Sequence, residues 1–303
     1  MWQPKVIMQD GVLMPFADAR VHPLSPGFAY GAAVFEGIRA YRDPASGRLA
    51  LFRLQEHLDR LAFGMKIMRF DRIFEEGYLR DRIIEVIRGN EPDDDVYVRV
   101  LVYVATVSPM TSATPVSFTV AALPREKPKY AEGMHLGVSS WHRISDNASP
   151  PRVKSTANYH SSRLTILQAR ADGYDGALLL TRNGKVSETP IACVFFVRDG
   201  KLITPSPSSD ILESVTRDTI MRLHEDMTGT PVIEREIDRT EIYLAEEAFV
   251  CGTGQEVIPV VSFDRLPVGD GKVGPVTTRL RQRYFDVVRG KTTDYDAWRT
   301  QVN

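Results

Sequence analysis

Apolar residues recur at Leu54, Leu58, Leu61, Met65 and Met68, the spacing of one helical face, so a helix is predicted from Leu54 onward. A different rhythm runs through Asp95–Tyr103. There Val96, Val98, Val100 and Val102 alternate with Tyr97, Arg99, Leu101 and Tyr103. A period of two predicts a strand with Tyr97, Arg99 and Tyr103 on one face. Shorter apolar runs predict strands at Val6–Met8, Leu49–Phe52, Val116–Leu123, Met134–Trp141 and Ala248–Val250. Helices are expected over Tyr159–Ala171, from Ser214 to about Met227, and over Gly274–Arg289. Asn183-Gly184 and Asp199-Gly200 suit the positive φ of tight turns. They predict hairpins joining Ala177–Thr181 to Lys185–Glu188 and Cys193–Val197 to Lys201–Thr204.

The stretch Pro124–Tyr130 carries two prolines and four charges, which cannot continue a central strand. It divides the chain into a first domain (1–124), an interdomain loop (125–131) and a second domain (132–303). The second domain mixes helices with antiparallel hairpins, unlike a doubly wound nucleotide fold. A length of 303 residues accommodates two domains of ordinary size.

Charge and cysteine content narrow the function classes. With 38 basic and 39 acidic residues, net −1, the chain lacks the basic excess of a duplex nucleic-acid binder. A local basic pocket for a small anion stays open. Cys193 and Cys251 belong to no CxxC pair, and no cluster has metal-ligand spacing, so no metal is expected. A reducing, cytoplasmic setting fits. The start MWQPKVIMQDG lacks the basic and apolar regions of a signal peptide, and no run approaches the ~18 apolar residues of a membrane span.

Several residues are candidates for chemistry. Ser214-Val215-Thr216 opens a helix, where free N–H groups attract phosphate; the plainer reading is that Ser214 caps that helix. Cys251-Gly252-Thr253-Gly254 holds an incomplete glycine fingerprint, equally well a turn at a strand end. Arg60 flanks an apolar helical stripe, as many solvated arginines do. Glu188 ends a strand before a Thr-Pro turn. The six histidines show no HExxH or nucleophile–base pattern.

The order of these features along the chain is more informative than any one of them. Tyr30-Gly31-Ala32-Ala33-Val34-Phe35-Glu36-Gly37-Ile38-Arg39-Ala40-Tyr41 closely resembles the start of branched-chain amino acid aminotransferases. The resemblance continues through Glu56–Leu61, Tyr97-Val98-Arg99, Ser139-Ser140-Trp141, Lys154 with Asn158-Tyr159, Ser187-Glu188, Thr216-Arg217-Asp218, Gly252-Thr253 and Gly274–Thr277. It covers nearly the whole chain. It implies a two-domain α/β (mixed α+β) fold of type IV, with a smaller N-terminal α/β domain and a larger, barrel-like C-terminal domain. It also implies a pyridoxal 5′-phosphate cofactor.

The resemblance implies the roles as well. Lys154 corresponds to the lysine that binds the cofactor's aldehyde and shuttles the proton between the substrate carbon and the cofactor's C4′, work that an amine can do. Glu188 corresponds to the partner that keeps the pyridine nitrogen protonated. Tyr159 corresponds to the donor to the cofactor's phenolate oxygen. Arg60, the Val215 and Thr216 N–H groups and Thr253 correspond to the phosphate cradle. Tyr30, Phe35, Gly37, Tyr97 and Gly254 match substrate positions, and Arg39 and Arg99 match positions that bind the acidic substrate, glutamate. The implied reaction is ping-pong transamination between L-branched-chain amino acids and 2-oxoglutarate, in a homodimer with sites completed across its interface.

Four departures bear on the substrate. Ile191, within Thr189–Cys193, stands where a glycine is usual. Leu212-Glu213-Ser214 replaces Leu-Pro-Gly, and Gly254-Gln255 replaces Ala-Ala. In the interdomain loop, Arg125 replaces an aromatic. They keep open a different amino donor: a D-amino acid or (R)-amine transaminase, an aminodeoxychorismate-lyase-like enzyme or a secondary-metabolism aminotransferase. None touches Lys154, Glu188, Tyr159 or Arg60, which argues against a catalytically silent binding protein.

Overall fold

Antiparallel pairing organises the N-terminal part of the computed structural model, which describes residues 2–124 and 130–302. Val6–Gln9 (β1) and Val12–Pro15 (β2) form a hairpin whose turn, Asp10-Gly11, has positive φ at both residues. Then come Pro26–Ala29 (α1), Ala33–Arg42 (β3), Leu49–Phe52 (β4), Leu54–Ile67 (α2), Glu76–Asn90 (α3), Val96–Val104 (β5) and Val116–Pro124 (β6). With the C-terminal strand Arg299–Gln301, these strands form one sheet, in the order Arg299–Gln301, β4, β3, β5, β6, β1, β2.

The hydrophobic rhythm of the sequence accounts for the core of this unit. Leu54, Leu58, Leu61 and Met65 of α2 are buried, and Met68 packs against them. Val96, Val98, Val100 and Val102 of β5 are completely buried in the same cluster. Tyr97 and Arg99 point to the other face, where β3 sets Gly37 opposite Arg99 and Phe35 opposite Leu101.

The second sheet is built from Met134–His142 (β7), Gly176–Leu180 (β8), Cys193–Arg198 (β9), Lys201–Pro205 (β10), Ile233–Arg235 (β11), Glu247–Gly252 (β12) and Glu256–Phe263 (β13), with Leu266–Pro267 (β14) paired to β13. Its order is β11-β10-β9-β12-β13-β7-β8. Tyr159–Ala171 (α4), Val215–Thr228 (α5) and Pro275–Val288 (α6) are its helices, and Arg299–Gln301 is β15. Asp199-Gly200 makes the expected β9–β10 hairpin, with positive φ at both residues.

Residues 185–188 are not the regular strand that their pattern predicts. Leu179 exchanges backbone bonds with Ser187 and Glu188, while Val186 N–H donates to Ile237, two residues beyond β11. Split between two partners, this segment cannot run a ladder, but it ties the β8 edge to the β11 edge. That gives the sheet its barrel-like closure.

The chain divides into two compact units: Met1–Glu126 with Val153–Ala157 and Asp286–Asn303, and Lys127–Arg152 with Asn158–Phe285. This differs from the contiguous 1–124 and 132–303 partition at two places. Val153 is buried in the first unit's core, Phe35 N–H donates to the Lys154 carbonyl (3.0 Å), and Val34 bridges Ser155. At the C-terminus, β15 pairs with β4. Arg125 and most of the expected 125–131 loop lie outside the described residues. No helix among the described residues is long and apolar enough to cross a membrane.

Candidate active site

Within the first unit, Lys154 is held by its backbone to the start of β3, and its Nζ lies 4.8 Å from the centre of the Phe35 ring. The Arg99 guanidinium stacks on the same ring at 4.4 Å and lies 5.7 Å from the Tyr97 ring. Gly37 completes this group, since a methyl there would overlap the Tyr97 hydroxyl. An amine and a guanidinium thus share one aromatic ring, each attracted by its π-system. Arg39 is 1% exposed on the same strand, but it stacks on Tyr41 (5.7 Å), so the two candidate arginines use different rings. Tyr30 ends α1 with its side chain exposed.

Beneath this face of β3, Glu36 meets two side chains of α2, Arg60 and His57. Glu36 is fully buried; its Oε1 accepts from Arg60 Nε at 2.7 Å, and its Oε2 accepts from an Arg60 terminal N–H at 2.8 Å. The His57 ring, 2% exposed, places Nδ1 2.8 Å from the same Oε2. Burial pushes the Glu36 carboxyl up, but the Arg60 guanidinium and the His57 ring more than offset this and hold it well below the usual carboxylate range. Burial also pushes the His57 ring down, against the pull of Glu36. A neutral ring facing an acceptor-only carboxylate donates from Nδ1.

In the second unit, Glu188 is 4% exposed and anchored through Oε1, which pairs with Arg143 (2.8 Å) and accepts from Leu212 N–H (3.1 Å). Its Oε2 faces the Cys193 Sγ at 3.6 Å. Burial, reinforced by Glu188, pushes the Cys193 thiol well up, so it stays protonated. Ser214 does cap α5, its hydroxyl accepting from Arg217 N–H at 3.3 Å, and Val215 and Thr216 follow as the first helical residues. Thr253 and Gly254 lie in the turn between β12 and β13, closed by Gln255 N–H to Gly252 O, so the Gly-x-Gly is a hairpin turn and not a nucleotide fingerprint. Tyr159 opens α4. The turn after Glu188 is closed on itself: Thr189 Oγ1 donates to Ala192 O and accepts from Ala192 N–H, which leaves Ile191 46% exposed.

Comparison with known proteins decides what this arrangement belongs to. Residues 33–263 match the amino-transferase class IV family. The chain is 38% identical over 302 residues to a branched-chain-amino-acid aminotransferase of Escherichia coli (strain K12), covering 97% of this chain and 96% of that one. The chain belongs to the class IV aminotransferases, in the branched-chain-amino-acid aminotransferase family. The crystal structure of the Thermobaculum terrenum branched-chain amino acid aminotransferase in its PLP form matches with a TM-score of 0.94 at 39% identity, covering 100% of both chains. The Thermoproteus uzoniensis branched-chain aminotransferase with norvaline matches with a TM-score of 0.93 at 35% identity, covering 98% of this chain and 99% of that one. The two-domain type IV fold expected from the sequence is the fold of this aminotransferase.

Four residues that contact candidate residues of this class IV aminotransferase carry no strong sequence signal. Glu36 sits inside the apolar stretch Val34–Ile38, where a lone carboxylate is the one oddity. His57 precedes Arg60 by three positions on α2, so the two share a helical face. Arg143 and Cys193 meet Glu188 only through the folded sheet.

Proposed function

We propose that this aminotransferase transfers the amino group of L-leucine, L-isoleucine or L-valine to 2-oxoglutarate, giving branched-chain 2-oxoacids and L-glutamate by a ping-pong mechanism with pyridoxal 5′-phosphate. The observation that carries the reading is the Lys154–Phe35–Arg99 stack in a chain similar end to end to enzymes of that name. An apolar ring suits a branched aliphatic side chain, and an arginine on that ring suits the γ-carboxylate of glutamate.

The donor set fits the cofactor. Lys154 supplies an amine for its aldehyde, Glu188 an anchored carboxylate for its pyridine nitrogen, and Tyr159 a phenol for its ring oxygen. Arg60, Thr253 and the α5 N-terminus at Val215-Thr216 supply cation, hydroxyl and N–H donors for its phosphate. Two buried hydroxyls with no hydrogen-bond partner, Thr156 Oγ1 and Ser187 Oγ, lie two residues and one residue from Lys154 and Glu188, where further acceptors would satisfy them. When bound, the cofactor supplies an electron sink for the pair left on the substrate carbon. Lys154 Nζ would take the proton from that carbon, Glu188 would hold a proton at the pyridine nitrogen, and Arg60 would orient the phosphate end.

The test is a donor panel covering both enantiomers with 2-oxoglutarate. The expected result is 2-oxoacid formation from the three L-branched-chain amino acids; turnover of none of them overturns the reading. We also infer that the chain works as a homodimer in the cytoplasm, which its two free buried cysteines suit.

Gly37→Ala separates pocket shape from stability. The heavy atoms nearest to the added methyl all belong to the Tyr97 side chain, whose end must move. The expected KM for the amino donor rises about ten-fold, while Tm moves by no more than about 3 °C. Steady-state kinetics and thermal melts read the two quantities. An unmoved KM denies Tyr97 and Gly37 a place in the pocket.

A further inference from the structure

We infer that Glu36 and His57 are positioning residues that set the Arg60 guanidinium for the cofactor's phosphate. The inference rests on the assignment of Arg60 made above.

Three observations carry it. First, the Glu36–Arg60 contact is a two-pronged fork, through Nε on one carboxylate oxygen and a terminal nitrogen on the other. A fork of this kind fixes the plane of the guanidinium as well as its distance, so the remaining donor edge has one direction. Second, Glu36 is in turn fixed. His57 Nδ1 and the Gly37 N–H (3.2 Å) both point at Oε2, so rotation of the carboxylate breaks several bonds at once. Third, Glu36 is buried on a strand whose neighbours Val34, Ile38 and Ala40 belong to the hydrophobic core. A buried ion pair there is a poor stabiliser compared with apolar side chains of similar volume. Its geometric effect on a side chain that still reaches solvent, Arg60 at 11% exposure, is what distinguishes it.

Glu36→Gln is the informative change. The glutamine oxygen can replace one carboxylate oxygen, but its amide nitrogen then faces donors of Arg60 or His57, and the fork is lost. His57→Asn keeps a donor near the place of Nδ1, whereas His57→Phe removes it. The full-length protein carrying each change, and Arg60→Ala, is titrated with pyridoxal 5′-phosphate and separately with pyridoxal, which lacks the phosphate. Bound ligand is read from its absorbance.

The expected result for Glu36→Gln is about a ten-fold weaker affinity for pyridoxal 5′-phosphate and a change within about two-fold for pyridoxal. His57→Phe moves in the same direction and His57→Asn restores the affinity. Equal losses for both ligands would mean general damage to the unit and overturn the inference. So would unchanged or tighter binding of pyridoxal 5′-phosphate by Glu36→Gln and His57→Phe while Arg60→Ala weakens it, though the role of Arg60 would stand. If Arg60→Ala itself leaves phosphate-dependent binding intact, the assignment of Arg60 fails and the inference falls with it. Should Glu36→Gln not fold, the His57 pair separates the same outcomes.

Discussion

Lys154→Ala lowers transamination by about 10⁴-fold or more and leaves the fold in place. The two halves of this expectation come from different parts of the same residue. Its backbone carbonyl accepts the Phe35 N–H, and the neighbouring Val153 is buried in the first unit's core, so the segment stays seated whatever side chain follows Cβ. The substitution removes the side chain beyond Cβ, including the Nζ over the Phe35 ring. No other lysine lies in the Val153–Ala157 segment to take its place. Borohydride reduction followed by mass measurement of the intact chain gives the sharper readout. The unmodified protein gains one phosphopyridoxyl mass, and the variant gains none. A variant that keeps the mass gain, or activity within about ten-fold of the parent, would show that another amine does this work.

Glu188→Gln has the second largest effect, a fall in kcat of about 10²–10³-fold together with a lower Tm. The carboxylate is buried and anchored by Arg143 and Leu212 N–H on Oε1. Glutamine keeps an oxygen for these two donors, so the side chain stays in position. It carries no charge, however, and so can neither hold a proton on a pyridine nitrogen nor neutralise Arg143. Breaking a buried pair from one side costs about 3–5 kcal/mol because the remaining charge is left uncompensated. The kinetic and thermal effects separate with Arg143→Gln in the Glu188→Gln background. Removing the stranded guanidinium recovers part of Tm and none of kcat. Recovery of kcat in the double variant would mean that the charge on Glu188 serves Arg143 alone.

The parts of this enzyme that were readable in the sequence are those governed by local periodicity. The α2 stripe and the alternating β5 were visible because burial repeats every 3.6 or 2 residues. The Asp199-Gly200 hairpin was visible because its turn demands particular residues. Residues 185–188 misled for the opposite reason: their pattern is that of a strand, but their hydrogen bonds go to two partners that sequence proximity does not reveal. The affiliation of Val153–Ala157 with the first unit had no local signal either, since it depends on Val34, Phe35 and the buried core. The order of motifs along the chain marks the candidate residues. Of their supports, His57 shares a helical face with Arg60, whereas Glu36 meets Arg60 and Arg143 meets Glu188 only through the fold.

The pairing of β15 with β4 bears on how the chain matures during synthesis. Arg299–Gln301 completes the edge of the first sheet. Trp298 O accepts from Arg53 N–H (2.6 Å), Val302 N–H donates to Leu49 O (2.9 Å), and Val302 O accepts from Arg88 Nε (2.8 Å). Domains usually fold in the order in which the ribosome delivers them. Here the N-terminal sheet cannot gain its last strand until the whole of the second unit has been translated. The open edge of β4 is therefore sealed by β15 only after the second unit has been translated.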